Sequence, residues 1–405
     1  MRSDIDSLMR MRDIAGMVVF AFDRYTPAMY YATGQKIHVG TYVRAADGRA
    51  HLAHDPMERD QAAKVGCPLS TYAQHGVPQR IEKHRDSIRA YADLTAELLA
   101  TLGIHGKVAF FGDLPAGMGY QYVNAVREFA PTVVPDLAQP DVLTLARATK
   151  DAAEIEAIRH ASKGVTTAYA KLRAHLVTLR RDGEHFTNGS GRVTLGQLRA
   201  LLHTEFLAHG LEGGESIVSQ GRDAGVPHNR GNDDEPLRAG MPVIVDIFPG
   251  EAGGGYFSDF TRTFCMGKAS PELRRVYDDV QGAFRQTMDT LRVGEACREY
   301  QEKTCAYFEE RGHATLRTDQ TTQEGYCHGL GHGVGLAVHE APRLGGPPSN
   351  TQKLEAGMVV TIEPGLYYPS KGMGVRIEDL VVMTANGRYE NLTPAPYDLE
   401  IEPRA

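Results

Sequence analysis

The sequence predicts a mixed α+β chain of two domains, a smaller α/β domain over residues 1–143 and a larger one over residues 144–405. Three observations carry that reading. A length of 405 residues exceeds the roughly 100–200 of one ordinary domain, so each part can bury its own core. In the first third, short apolar runs alternate with segments of helical spacing, the pattern of an α/β layer. Beyond residue 144, amphipathic helical stretches stand beside apolar strand-like runs that carry isolated carboxylates.

Taken in order, Gly16 to Asp23 reads as a buried strand. The runs Thr41 to Ala46 and Arg49 to Ala53 flank Asp47-Gly48, the signal of a two-residue hairpin. Arg85 to Leu102 has helical spacing and stops at Gly103. A strand over Lys107 to Phe111, a helix over Tyr120 to Phe129 and a short strand over Thr132 to Val134 follow. His51, His54, His75, His84 and His105 share no spacing and read as surface or core histidines. The boundary falls at Pro140 to Lys150. Next, Ile155, Ile158, Val165, Leu172 and Leu176 form one stripe of a long helix, and Arg180 to Arg192 is polar and glycine-bearing, an exposed loop or insertion. Further helices are expected near Leu195 to His209, from the Ser270-Pro271 cap to Leu291, and from Cys297 to Arg311 before Gly312.

Composition excludes several functions. Apolar residues at 42% and charged residues at 23% are the proportions of a globular protein. A net charge of −7 without any Lys/Arg block argues against nucleic acid. The first apolar run, Ala15 to Phe22, is too short to span a membrane and lacks a cleavage-like tail, so neither a membrane partner nor secretion is expected. Cys67, Cys265, Cys297, Cys305 and Cys327 are odd in number and lack a C-x-x-C pair, which fits a reducing cytoplasm. Cys327 reads as a small packed residue.

Chemistry concentrates in Cys327 to Pro342, Cys-His-Gly-Leu-Gly-His-Gly-Val-Gly-Leu-Ala-Val-His-Glu-Ala-Pro. His328, His332 and His339 occur in a run too glycine-rich for a good helix, and Pro342 excludes a helical H-E-x-x-H zinc site at His339. Val334, Leu336 and Val338 alternate with small residues, which predicts a strand leading to His339. Asp246 lies in Pro-Val-Ile-Val-Asp-Ile-Phe, Asp259 in Tyr-Phe-Ser-Asp-Phe-Thr-Arg-Thr, Glu363 in Val-Val-Thr-Ile-Glu-Pro-Gly-Leu-Tyr and Glu378 in Val-Arg-Ile-Glu-Asp. Lone buried carboxylates are costly, so four on apolar strands want a shared counter-charge, which two divalent cations would supply.

The order Asp246, Asp259, His332, Glu363, Glu378, with those local words intact, resembles the pita-bread metallopeptidases. The proline-specific branch, Xaa-Pro dipeptidase and Xaa-Pro aminopeptidase, is the nearest match. The resemblance is strong over residues 145–400 and holds only in outline before them. It implies a curved antiparallel sheet covered by helices in a catalytic domain over 144–405, behind a creatinase/prolidase-like α/β domain over 1–143, with dimerisation expected. It implies that Asp246, Asp259, His332, Glu363 and Glu378 hold two divalent metals, Mn²⁺, Zn²⁺ or Co²⁺, with Asp259 and Glu378 bridging. Hydrolysis of a small peptide with proline after its N-terminal residue, by a metal-bridged hydroxide, follows from the same likeness.

Individual roles come with it. Glu363 would take the proton of the attacking water and pass it to the departing proline nitrogen, His339 would donate to the tetrahedral intermediate and His228 to the substrate backbone. Read alone, His228 is more simply a structural histidine. Arg376 is expected to support Asp246, His328 to stand nearby, and Arg343 either to clamp a substrate carboxylate or to be a solvated surface residue. Two departures from the family pattern are Phe248-Pro249, where a small residue is usual after the first aspartate ligand, and a slightly long glycine-rich turn before Tyr256. Among the alternatives, an aminopeptidase acting on longer peptides stands first. Creatinase-like amidinohydrolases and histone-chaperone-like binding modules have lost ligands that this chain keeps, and methionine aminopeptidases usually lack the first domain.

Overall fold

The computed structural model describes residues 1–403, which fall into two compact units: Met1–Arg147 with Gly253–Gly255, and Ala148–Ala252 with the residues from Tyr256 on. The parting lies a few residues beyond the 143/144 boundary read from sequence. The reason is local: the short helix Val142–Ala148 is held to the first unit through the Ala146 carbonyl, which accepts the Tyr31 hydroxyl at 2.8 Å and the Met1 amino group.

The first unit is built on a sheet of β1 (Gly16–Phe22), β2 (Val39–Ala45), β3 (Ala50–His54), β4 (Leu69–Thr71), β5 (Gly106–Gly112) and β6 (Val133–Pro135), in the order β4-β3-β2-β1-β5-β6. β1 runs antiparallel to β2 and parallel to β5, so the sheet is mixed. Helices α1 (Ser87–Thr101) and α2 (Ala116–Phe129) bury Ile88, Leu98, Tyr122 and Val126 in a core with Val18, Phe20 and Val108. Asp86 caps α1 by accepting the Arg89 amide. The expected two-residue hairpin is one residue longer: the Gly48 amide donates to Ala45 O, and Gly48 takes φ +92° before the strands re-pair. That is the three-residue turn ending in a glycine bulge. The helix Pro27–Thr33, absent from the sequence reading, was signalled by its Thr26-Pro27 start, with Thr26 accepting the Met29 amide.

In the second unit, a sheet of β7 (Ile217–Gln220), β8 (Pro242–Ile247), β9 (Phe260–Met266) and β17 (Glu400–Ile401) stands beside one of β10 (Gly331–Gly333), β11 (Glu340–Leu344), β12 (Val359–Ile362), β15 (Asp379–Met383) and β16 (Tyr389–Asn391). A ribbon of β13 (Gly365–Tyr368) and β14 (Met373–Arg376) completes the set, and an antiparallel bridge between Thr261 and Glu378 joins the two larger sheets. Helices α3 (Ala152–Thr178) and α4 (Leu195–Ala208) share a core with Val243, Val245, Ile247, Phe260 and Phe264. α5 (Pro271–Thr290) and α6 (Cys297–Glu309) pack with Val360, Ile362 and Val381. Capping fits the sequence at the starts of α3 and α5: Asp151 and Glu154 form a capping box on α3, and Ser270 caps α5. Because strand side chains alternate, the faces of β8 and β9 that feed the helical core leave Asp246 and Thr261 on the opposite face.

Two expectations are corrected. Residues 334–339 form no strand; they make the bend between β10 and β11, where the Gly335 amide donates to Ala337 O and the Ala337 amide to Glu340 Oε1. Apolar alternation there reflects burial of Val334 and Leu336 from a loop. The 180–192 stretch is exposed for most of its length but is ordered as a two-stranded ribbon, Arg180–Asp182 with His185–Thr187, pinned by buried Phe186. Among the described residues, no helix is long and apolar enough to cross a membrane.

Candidate metal centre

The site is assembled from strand ends. Asp246 sits near the end of β8, Asp259 immediately precedes β9, His332 is the middle residue of β10, Glu363 follows β12 and Glu378 lies between β14 and β15. Asp246, Asp259, His332 and Glu378 are at most 8% exposed, while 16% of the Glu363 side chain meets solvent. One donor atom each from Asp259, His332 and Glu378 lie within 4.8 Å of one another. His332 Nε2 is 3.2 Å from Glu363 Oε1 and 3.7 Å from Asp259 Oδ2. Asp246 is bound by Arg376 Nη2.

The glycines on either side of His332 have a steric reason. A Cβ on Gly331 would stand 2.0 Å from Thr361 O, and one on Gly333 2.1 Å from Ala341 O. Only glycine lets β10 lie this close to its neighbours. His332 is then oriented at both ends: its amide donates to Thr361 Oγ1 at 3.0 Å, and Nδ1 lies 3.2 Å from Gly333 O. With Nδ1 donating to that carbonyl, Nε2 is free to act as a ligand atom.

Electrostatically the cluster is overloaded. Four carboxylates face one guanidinium, Arg376, which is 4% exposed. Burial, then the charge of Asp246, pushes the Asp259 carboxyl well above the usual carboxylate range. Glu378 is driven the same way by burial, then by Asp259 and Glu363. Burial works against Glu363 too, but its hydrogen bond and charge contact with His332 hold it below the usual range, and His332 is raised in return. Protonation is one relief for such a cluster; a divalent cation is the other. The donors, carboxylate oxygens plus one imidazole nitrogen already turned inward, fit Mn²⁺, Co²⁺ or Zn²⁺ and do not choose among them.

The remaining candidates are at different distances from this centre. Arg376 donates through Nη1 to the Tyr367 hydroxyl at 2.7 Å and through Nε to Thr261 Oγ1 at 3.3 Å, and Thr261 Oγ1 in turn donates to Glu378 Oε2 at 2.7 Å. His328 does not touch the carboxylates. Its Nδ1 lies 2.7 Å from Gly329 O and its Nε2 2.9 Å from the Tyr367 hydroxyl, so it reaches Asp246 only through Tyr367 and Arg376. His339 is exposed, its ring edge-on to His332 at 4.3 Å between centroids, and burial together with the neighbouring His332 lowers its pKa. His228 lies in the turn after residues Asp223–Gly225, exposed, and its charge bears on both His328 and His339. Arg343 is the strand partner of His332, which puts the two side chains on one face; it is exposed and has no ion pair among the described residues. Phe248 is half-buried just past β8, and Cys327 is a half-buried free thiol packed near Ile244 and Tyr367.

Sequence reasoning did not single out Thr261, Thr361 or Tyr367, although each stands inside a quoted motif word. For the two threonines the signal was a hydroxyl one or two positions from a charged residue on an apolar strand, whereas Tyr367 stands four residues from Glu363. Neither could be separated from ordinary strand threonine or tyrosine until the partners were in place.

The model of metallopeptidase family M24 matches residues 155–385. A protein of Mycobacterium tuberculosis named "Probable dipeptidase PepE" is 32% identical over 271 residues, 67% of this chain and 65% of that protein. The Xaa-Pro dipeptidase of Pyrococcus furiosus is 34% identical over 173 residues, 43% of this chain and 45% of the relative. The matches thus span between under half and about two thirds of these relatives' lengths. Among solved structures, an Xaa-Pro dipeptidase from Bacillus anthracis superposes with a TM-score of 0.78 at 24% identity, covering 99% of this chain and 98% of the other. That likeness shows the fold, the pita-bread architecture behind a smaller α/β domain.

Proposed function

The chain belongs to metallopeptidase family M24, and on that premise we propose that it is a dinuclear metal-dependent exopeptidase that hydrolyses the Xaa-Pro bond of dipeptides. One observation carries the reading: carboxylates from four separate strand ends converge with His332 Nε2 on one centre that a single guanidinium does not neutralise. Asp246, Asp259, His332, Glu363 and Glu378 are the residues that would hold the two cations. When bound, these supply Lewis acidity that makes water a nucleophile near neutral pH and stabilises the developing oxyanion.

The side chains divide the rest of the work. Glu363, the ligand carboxylate most open to solvent, accepts the proton of the attacking water and passes it to the departing proline nitrogen. His339 donates to the oxygen of the tetrahedral intermediate, and its lowered pKa keeps it a neutral donor. His228, exposed on the same side, donates to the substrate backbone. Arg376 holds Asp246 in place through a bond inaccessible to solvent. Arg343, on the His332 face and without an ion pair among the described residues, takes the free carboxylate of a dipeptide bidentately. A clamp there favours dipeptides over the longer substrates of an Xaa-Pro aminopeptidase. Residues 144–405 form the catalytic domain, behind an α/β domain over 1–143, in a cytoplasmic homodimer whose mass light scattering would report.

The experiment is hydrolysis of Ala-Pro, Ala-Pro-Ala and Met-Ala-Ser by metal-stripped protein with and without Mn²⁺. Metal-restored cleavage confined to Ala-Pro is the expected result. Cleavage of Ala-Pro-Ala as well reassigns the chain as an aminopeptidase, and equal losses on both substrates in Arg343→Ala remove the clamp. Inactivity on all three despite bound metal overturns the proline-specific reading.

A further inference from the structure

Behind the metal centre lies a second charged pair, Arg262 with Asp379, 1% and 0% exposed at their side chains and 2.7 Å apart. Arg262 is the largest fully buried side chain among the described residues. All its N–H groups are used: Nε donates to Pro396 O at 3.1 Å, Nη1 to Thr261 O at 3.0 Å and Glu378 O at 2.6 Å, and Nη2 to Asp379 Oδ1 at 2.7 Å and Ala395 O at 3.1 Å. Its guanidinium lies between the rings of Phe260 and Tyr397, 4.4 and 4.3 Å from their centroids. The other Asp379 oxygen accepts Asn391 Nδ2 at 2.6 Å and the Tyr397 hydroxyl at 2.5 Å. A buried ion pair is weak evidence for stability as such, because desolvation offsets its attraction. Its geometry must be accounted for otherwise.

The account lies in what Nη1 grips. Thr261 and Glu378 are the two halves of the bridge that joins the β9 sheet to the β15 sheet, and Glu378 N donates to Thr261 O at 3.0 Å. Thr261 is also the hydroxyl that orients the Glu378 carboxylate, and Asp259 stands two residues upstream. One planar fork therefore sets the main chain that carries two proposed metal ligands from different sheets, and ties it to the segment Ala395–Tyr397. Lysine, a point donor, cannot reproduce five fixed directions.

The geometry points to Arg262, with Asp379 as its anchor, as a positioning residue that sets the separation of Asp259 and Glu378 and so the affinity for metal. This rests on the metal ligands proposed above. It is tested by titrating metal-stripped wild type, Arg262→Lys, Asp379→Asn and Leu176→Ala with Mn²⁺ in a calorimeter, and by recording the melting temperature of each metal-free protein. Wild type is expected to take two Mn²⁺. Arg262→Lys and Asp379→Asn should each lose at least tenfold in affinity for one of them. Leu176→Ala, a core truncation on α3, should melt lower yet bind as wild type does. The inference is overturned if both pair variants bind Mn²⁺ like wild type, or if Leu176→Ala weakens binding as much as they do. Wild type that takes no Mn²⁺ instead overturns the ligand assignment itself. Should Arg262→Lys fail to fold, Asp379→Asn, which keeps the side-chain volume, decides alone.

Discussion

Both units of this protein contain a dense network of titratable side chains, and they are built on opposite principles. In the first unit, His51 Nε2 and His75 Nε2 each lie 2.6 Å from Ser70 Oγ, and His75 Nδ1 is 2.8 Å from Glu97. Arg80 caps Glu97 and meets Asp93 at 2.6 Å, and His84 closes on Asp93 at 2.9 Å. Each carboxylate there has its own basic partners, Arg80 and His75 on Glu97, Arg80 and His84 on Asp93, and the two keep 40% and 20% of their side chains in water. In the second unit the acids outnumber the bases and solvent is nearly excluded. A matched network at a surface is structure; an unmatched one in the interior persists only where something else is meant to balance it.

The sharpest way to break this contrast is to remove one acid from the unmatched network. Glu363→Gln should fold and lose about 10²–10⁴-fold in kcat on Ala-Pro, the usual range for a lost proton-transfer group. Full activity in a folded variant would end its assignment as the base. Next in size is Arg376→Met, which strands Asp246 without its partner. Thermal melts of the metal-free protein should show a loss of about 3–5 kcal/mol, the cost of an uncompensated buried charge. Metal removal comes third: a chelator should lower the melting temperature, and Mn²⁺ at a hundredfold over its Kd should return about 2.7 kcal/mol. A melting curve indifferent to Mn²⁺ would mean that the acids are balanced by protons alone.

The matched network should respond weakly. Arg80→Met is expected to cost about 1 kcal/mol or less in urea unfolding and to leave kcat unchanged, because its pairs are part-exposed. Smallest is a pH effect at His51, whose pKa burial and then the charge of His75 depress. A histidine with a depressed folded pKa stabilises the fold above its unfolded value, near 6.5, and that contribution disappears as pH falls through the folded value. Melting temperature should therefore drop from pH 7 to pH 5 in wild type, and less steeply in His51→Asn.

Much of the centre is legible in the order of residues alone. The carboxylates Asp246, Asp259, Glu363 and Glu378 stand out because charged residues on apolar strands are rare, while His332 is picked out from His328 and His339 only by the family resemblance of its local word. The helices are legible through their stripes and caps, α3 from Asp151 and α5 from Ser270-Pro271. The run Val334 to His339 misleads, since alternation of apolar and small residues describes a buried bend as well as a strand, and the Gly335 amide on Ala337 O with the Ala337 amide on Glu340 distinguishes them. Arg343 and His228 take a side of the site only once β10 is paired and the 223–229 turn is formed.

By itself, then, the sequence determined which residue types could meet and on what kind of element, because propensity, capping and burial are local properties of the chain. Tertiary structure decided what each group faces. Arg376 meets Asp246 across 130 residues of sequence and Arg262 meets Glu378 O across 116. Partners so distant are brought together by sheet pairing, and no periodicity within one strand encodes a bond that leaves it.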